Sequence, residues 1–372
     1  MNAGVQAFVY PEELEHIGAD ELVEQVLGLG CDAVSVAVSY HRGRRVFPRH
    51  RRVSVLTGTR LYVEPERSRY GALVPAGTAA PELHRFREAC DRAGLRFRAW
   101  IVGLHHGELA AAHPEAAALL LDGSPAGHSL CPSSAAAIEY LAALAGDVAA
   151  QLEPDAVDLE AAFYPAWEPS YTLTLALEPL SEPARLLGTQ CFCASCRDLL
   201  GLGEGELAER ARAAAGPPFG SAVVDPSGDE VVAELRPARA RGAARLVEAV
   251  AASVRREGSL LRVFVSGPPE QAGLQGVSPS SVAAADALLF GCGPLRGDEL
   301  HARFDGLRDL AGRSGSVSTN WTPERADLAA DAARLAASGA EGLALYNLSL
   351  VPDAGLDAFR AAATAFRAAV PA

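Results

Sequence analysis

The chain has 372 residues, 49% of them hydrophobic, and a formal net charge of −13. That is ample apolar material for one large core, and an acidic balance excludes a general nucleic-acid or polyanion binder, which needs surplus Lys and Arg against phosphates. The start, Met1-Asn2-Ala3-Gly4, lacks the basic run and apolar core of a signal peptide, and no apolar stretch reads as a transmembrane span. The expected setting is cytoplasmic, with no membrane partner. Seven Cys, an odd number without a secretory context, argue against a disulfide scaffold.

Residues 5–10 alternate and stop at Pro11, which reads as a first strand. Residues 19–29 read as a helix, with Asp20 and Glu21 in its first turn and Gly30 as its stop. Residues 33–38 are a nearly continuous apolar run, as in a parallel strand covered on both faces. In the long loop that follows, 52–56 and 60–63 flank Thr57-Gly58-Thr59 as an expected hairpin. A helix at 81–93, closed by Gly94, precedes a third strand at 96–102. An alanine-rich helix at 133–151 leads to a fourth strand at 157–163. Segment 164–223 is too long for a simple connection and carries a Cys cluster, so it reads as a functional insertion. A helix at 239–257 and a strand at 261–266 follow, then a short helix at 278–285 and a strand at 287–290. The chain ends with a helix at 298–311, a strand at 316–321, a helix at 323–337, a strand at 342–347 and a helix at 355–368.

Eight strand–helix repeats predict an α/β fold: a single (β/α)8 TIM barrel over 1–372, with the Cys-containing insertion after its fourth strand. An open doubly wound sheet would carry a Gly-rich turn after the first strand, where this chain has Pro11-Glu12-Glu13.

Barrel chemistry sits at the C-terminal strand ends. Those ends gather Tyr10, Tyr40, His41, His105, His106, Asp158, Glu160, Asn320, Trp321, Tyr346 and Asn347. Rings that stack on sugar C–H faces, beside amides, imidazoles and hydroxyls, suit a small-molecule carbohydrate or glycoside. Asp158 and Glu160 share one face of their strand. Two carboxylates one pleat apart in a low dielectric repel, which raises one pKa and makes a general acid. For Asp158 an interior arginine is the competing partner.

Cys191, Cys193 and Cys196 form a Cys-x-Cys-x-x-Cys pattern, and Cys131 is the candidate fourth ligand. Four thiolates suit a structural zinc; reduced, partly buried thiols are the alternative. No motif for an organic cofactor is evident. The Arg-rich loop at 41–52 either folds over the mouth to select an anionic substrate or lies solvated.

The run Gly127-His128-Ser129-Leu130-Cys131-Pro132-Ser133-Ser134, then a helix, a strand ending in Glu160, and Cys191-Phe192-Cys193-Ala194-Ser195-Cys196-Arg197 resembles family 42 glycoside hydrolases, which are β-galactosidase-type barrels. The chain as a whole is similar to a group of alanine-rich actinobacterial proteins with such a barrel. The resemblance implies an acid/base role for Glu160 and a structural zinc on Cys131, Cys191, Cys193 and Cys196. The chain departs from the family at Leu159, where the family has Asn, and at Ser318-Thr319-Asn320-Trp321, where the family's nucleophilic Glu would stand. Glu324, Asp286 and Glu168 are the remaining candidates for the second carboxylate that a retaining glycosidase places about 5 Å from the first. Three readings follow. The leading one is a glycoside hydrolase-like enzyme with Glu160 as general acid/base. The others are a non-catalytic carbohydrate-binding barrel, and a metal-dependent sugar isomerase or lyase using His105, His106 and Glu160. A homo-oligomer is compatible with all three.

Overall fold

The computed structural model describes residues 4–165, 187–188, 191–201, 206–216, 228–323 and 327–371. In chain order its strands are β1 Gly4–Val9, β2 Ala33–Tyr40, β3 Gly43–Phe47, β4 Arg52–Leu56, β5 Arg60–Leu61, β6 Arg96–Val102, β7 Ala117–Leu119, β8 Pro125–Leu130, β9 Ala156–Glu160, β10 Leu260–Ser266, β11 Ala287–Gly293, β12 Ser316–Asn320 and β13 Gly342–Tyr346. Eight of them, β1, β2, β6 and β9 to β13, pair in parallel, and β13 returns to β1 to close a barrel. Alternation along each strand divides two cores. Val5, Ala7 and Val9 of β1 pack outward under the helices, while Phe8 and Tyr10 point into the lumen with Trp100, Leu289 and Ala344. This double burial explains why the strands read as apolar runs.

The helix Ala135–Leu152 has the length and composition to cross a membrane, which revises the expectation that no stretch does. Its alanine-rich face is instead packed in the protein core against the helix Gly228–Arg256. The two approach so closely that a Cβ on Gly146 would stand 2.3 Å from Ser253 Oγ.

Three local expectations are corrected. The hairpin is β3 with β4, registered Gly43↔Leu56 to Phe47↔Arg52. Arg45, Phe47 and Leu56 bury one face of it, while β5 turns away to pair antiparallel with the end of β2. Residues 278–285 form turns, not a helix. There the Ser278 and Ser281 hydroxyls accept from each other's backbone N–H, at 3.1 and 2.9 Å, and compete with helical bonding. The helix of that connection is Pro269–Leu274. The helix expected at 239–257 begins at Gly228 and runs through Pro237. Within the insertion, Ala194–Leu200 and Glu206–Ala215 are helical. Phe192, Ala211, Leu187 and Leu121 join Val231 and Leu235 in a small core separate from the barrel's. The β7–β8 hairpin, which ends at Cys131's doorstep, had no counterpart in the sequence reading.

Candidate active site

Glu160 is the last residue of β9, level with Val102 across β6. The chain turns immediately after it: Ala161 has φ 56°, the left-handed region that non-glycine residues rarely adopt. The turn is held by Gly103 and Leu104, whose N–H groups donate to the carbonyls of Glu160 and Ala161 at 2.9 and 3.1 Å. Trp100 lies one pleat below on β6, and its Nε1–H donates to Glu160 Oε2 at 2.8 Å. Burial pushes the Glu160 carboxyl up to about 7, and the Trp100 hydrogen bond opposes that rise. Such a group is divided between acid and carboxylate at neutral pH.

Three tyrosines converge beside it. Tyr10 Oη stands 3.1 Å from Tyr40 Oη and 2.9 Å from Tyr346 Oη, and the latter two are 3.3 Å apart. Burial raises all three phenols, and the charge on Glu160 adds to each, so they remain neutral donors. Tyr10 is edge-on to Tyr40, and Trp100 packs edge-on against both Tyr40 and Tyr346. The β3–β4 hairpin folds over this wall. Arg45 places its guanidinium 4.0 Å above the Tyr10 ring and 4.6 Å above Tyr40, and pairs with Glu12 at 2.6 Å. Arg49 and His50 both reach Glu13 at 2.7 Å. The basic loop therefore does cover the mouth, but Arg45, Arg49 and His50 are engaged by Glu12 and Glu13.

The other expected site residues divide. His41 and His105 line a side cavity of about 280 Å³ with His128, Thr57, Thr59 and Glu108. Burial lowers all three imidazoles, which favours their neutral form. His106 is not part of that wall. Its Nδ1 accepts from Leu109 N at 3.2 Å, capping the helix Gly107–Ala112, and its ring lies against Tyr140. Asn320 ends β12 level with Tyr346, at the mouth. Trp321 packs on the outer core, where a Cβ on Gly355 would come within 3.2 Å of its ring. Asn347 is buried; its Oδ1 accepts from Ser349 N at 2.9 Å, and Ser349 Oγ accepts from Tyr10 N at 3.0 Å. It supports the Tyr10 backbone and offers no surface to a ligand.

Asp158 has the interior arginine that was the alternative to a catalytic role. It pairs with Arg262 at 3.0 Å and accepts from Ser35 Oγ at 2.7 Å and Gln6 Nε2 at 3.2 Å. This interior arginine commits it to the barrel floor. Asp286 immediately precedes β11 at the N-terminal opening of the barrel, accepting from Leu261 N at 2.8 Å and paired with Arg255. Glu324 and Glu168 lie outside the described residues. Sequence reasoning missed Trp100 and His128 as site residues, and had Arg45 only as a member of the Arg-rich loop. The signal for Trp100 was parity: with Arg98 and Val102 it shares the lumen face of β6, against the acids of β9.

Cys131, Cys191, Cys193 and Cys196 are buried together with all ligand atoms within 4.8 Å of one another. Cys131 Sγ lies 3.5 Å from both Cys193 and Cys196 Sγ. A tetrahedral thiolate zinc site with bonds of about 2.3 Å has sulfurs about 3.8 Å apart, so the spacing fits. Backbone N–H groups of Leu119 and Ser133 point at Cys191 and Cys131 Sγ, at 3.3 and 3.4 Å, as thiolates require. Arg239 donates to Cys191 O at 3.3 Å and covers the Tyr164 ring at 4.1 Å, bringing positive charge to the cluster.

No family model and no curated protein sequence matches the chain. Solved structures do match its fold. The catalytic domain of β-amylase from Paenibacillus polymyxa aligns at TM-score 0.61 and 11% identity, covering 97% of this chain and 98% of that one. The β-galactosidase of Halorubrum lacusprofundi aligns at TM-score 0.61 and 12% identity, over 98% of this chain and 58% of the other. That from Marinomonas ef1 gives 0.60 and 12%, over 98% and 59%. At these identities the likeness is one of fold: a (β/α)8 barrel of the kind glycoside hydrolases use. The chain spans somewhat over half the length of the two galactosidases.

Proposed function

We propose that the protein is a glycoside hydrolase-like enzyme of the β-galactosidase barrel type, acting on a sugar or glycoside with Glu160 as general acid/base. One observation carries this: a buried carboxyl raised to about 7 at a C-terminal strand end, held by Trp100 and walled by Tyr10, Tyr40 and Tyr346. A general acid for neutral pH needs such a pKa, and the aromatic wall with neutral donors suits a sugar ring. Tyr10, Tyr40, Tyr346, His41, His105 and Asn320 are the proposed substrate contacts. Glu160→Gln should remove turnover of aryl glycosides while ligand binding persists; full activity in that variant would sink the reading. A non-catalytic carbohydrate-binding barrel is the second reading. It is favoured by Asn320 at the place where a nucleophilic Glu would end β12. The isomerase reading loses ground because His106 Nδ1 is taken by the Leu109 N–H of its helix cap and its ring lies against Tyr140. Among the described residues, the cysteines form the one His, Cys, Asp or Glu group spaced to hold a metal.

We assign the four cysteines a structural zinc, which would tie the loop after β8 to the insertion; the reduced thiols this needs suit a cytoplasmic setting.

A further inference from the structure

At the end of the barrel opposite Glu160 there is a cavity of about 840 Å³. Two arginines of the lumen, Arg98 and Arg262, line it. Both donate to one neutral acceptor, Gln6 Oε1, Arg262 at 2.5 Å and Arg98 at still closer range. The carboxylate on this floor is Asp158, which pairs with Arg262. Two guanidinium charges against one carboxylate leave the floor one positive charge in excess. Burial, followed by repulsion from Arg262, bears on Arg98 in the direction that disfavours its charge.

Of the acids around the opening, Asp32 acts on Arg98 against the repulsion from Arg262 and Arg96, but it is shared with other arginines. Asp32 is paired with Arg367 at 2.8 Å and with Arg96. Asp155 accepts from Phe97 N and Asp286 from Leu261 N, both at 2.8 Å. Glu341 is exposed at the rim and acts on Arg262. The cavity is thus positive at its floor and negative at its rim. A polyanion would be repelled at the entrance. A single carboxylate fits both constraints: it neutralises one charge, and its planar oxygens match the guanidinium fork.

We infer that this cavity is a binding site for a small monocarboxylate, held by Arg98 and Arg262 at the end of the barrel away from Glu160.

The test is thermal melting and calorimetric titration of the whole protein with sodium acetate and sodium propionate, against equal sodium chloride. Saturable binding should raise the melting temperature by about 2 °C or more over the chloride control. Arg98→Gln should abolish the response, and Arg98→Lys, which keeps the charge without the fork, should weaken binding about tenfold. Ser316→Asp, placing a carboxylate on the cavity wall, should also remove the acetate response, and it serves where Arg98→Gln does not fold. No difference between acetate and chloride in the unaltered protein overturns the proposal. So does a response to acetate that survives in both Arg98→Gln and Ser316→Asp, or a response to phosphate equal to that for acetate.

Discussion

Trp100 Nε1–H donates to Glu160 Oε2 at 2.8 Å, across neighbouring strands whose register sets Trp100 level with Asp158 and one pleat below Glu160. The bond favours the carboxylate, against a burial that favours the acid. Trp100→Phe keeps most of the ring volume and removes the donor. The Glu160 pKa then rises above about 7. If Glu160 is the acid, the alkaline limb of the pH–rate profile moves upward. An unmoved limb would assign that limb to another group.

The same carboxyl makes a prediction about stability. Its folded pKa is raised from 4.5 to about 7, so the native state holds its proton more tightly than the unfolded chain. As pH climbs from 4.5 towards 7 the unfolded state ionises first, and stability falls; above about 7 the loss is complete. A shift of this size is worth about 3 kcal/mol. Glu160→Gln has no such titration. Relative to the unaltered protein, it gains up to about 3 kcal/mol at pH 8 and little at pH 4, read by urea denaturation at both values.

The barrel was legible because parallel strands buried on both faces leave apolar runs at regular spacing, as at β2 and β13. Glu160 was legible because it ends such a run. The roles of His106 and Asn347 were not, and Asp158 was left between catalysis and an unnamed interior arginine, because a polar side chain at a strand end looks the same whether it meets a ligand or another part of the protein. Asp158 meets Arg262, which is 104 positions away in sequence. His106 and Asn347 are taken by N–H groups two or three residues on. The hairpin was misregistered because the Thr57-Gly58-Thr59 turn signal was genuine but joins β4 to β5, whose partner is β2.

Asp158 and Glu160, one pleat apart, should respond oppositely to amide substitution. Asp158→Asn leaves Arg262 and Arg98 without their carboxylate in a buried layer. Removing one partner of a buried pair costs about 3–5 kcal/mol. The loss should be seen at pH 8, where Glu160→Gln stabilises. A mild effect of Asp158→Asn would mean that solvent or a bound anion already balances the floor.

The cysteine cluster gives the last prediction. Its four thiols converge from the loop after β8 and from the turn into the helix Ala194–Leu200. Zinc there would join two segments far apart in sequence, so its binding energy becomes folding energy for the insertion. The purified protein should contain about one zinc per chain. A strong chelator should lower its melting temperature, and added zinc should restore it. Cys131→Ser should release the metal, since Cys131 is the ligand contributed from outside the Cys-x-Cys-x-x-Cys run. Thiol titration distinguishes the effect from simple unfolding. In the native zinc-bound protein the four cluster thiols are protected, and chelation should expose them before the buried Cys31, Cys90 and Cys292 react. If all seven thiols react together, with no metal released, the cluster is a packed group of reduced cysteines and the insertion is held by its apolar core alone.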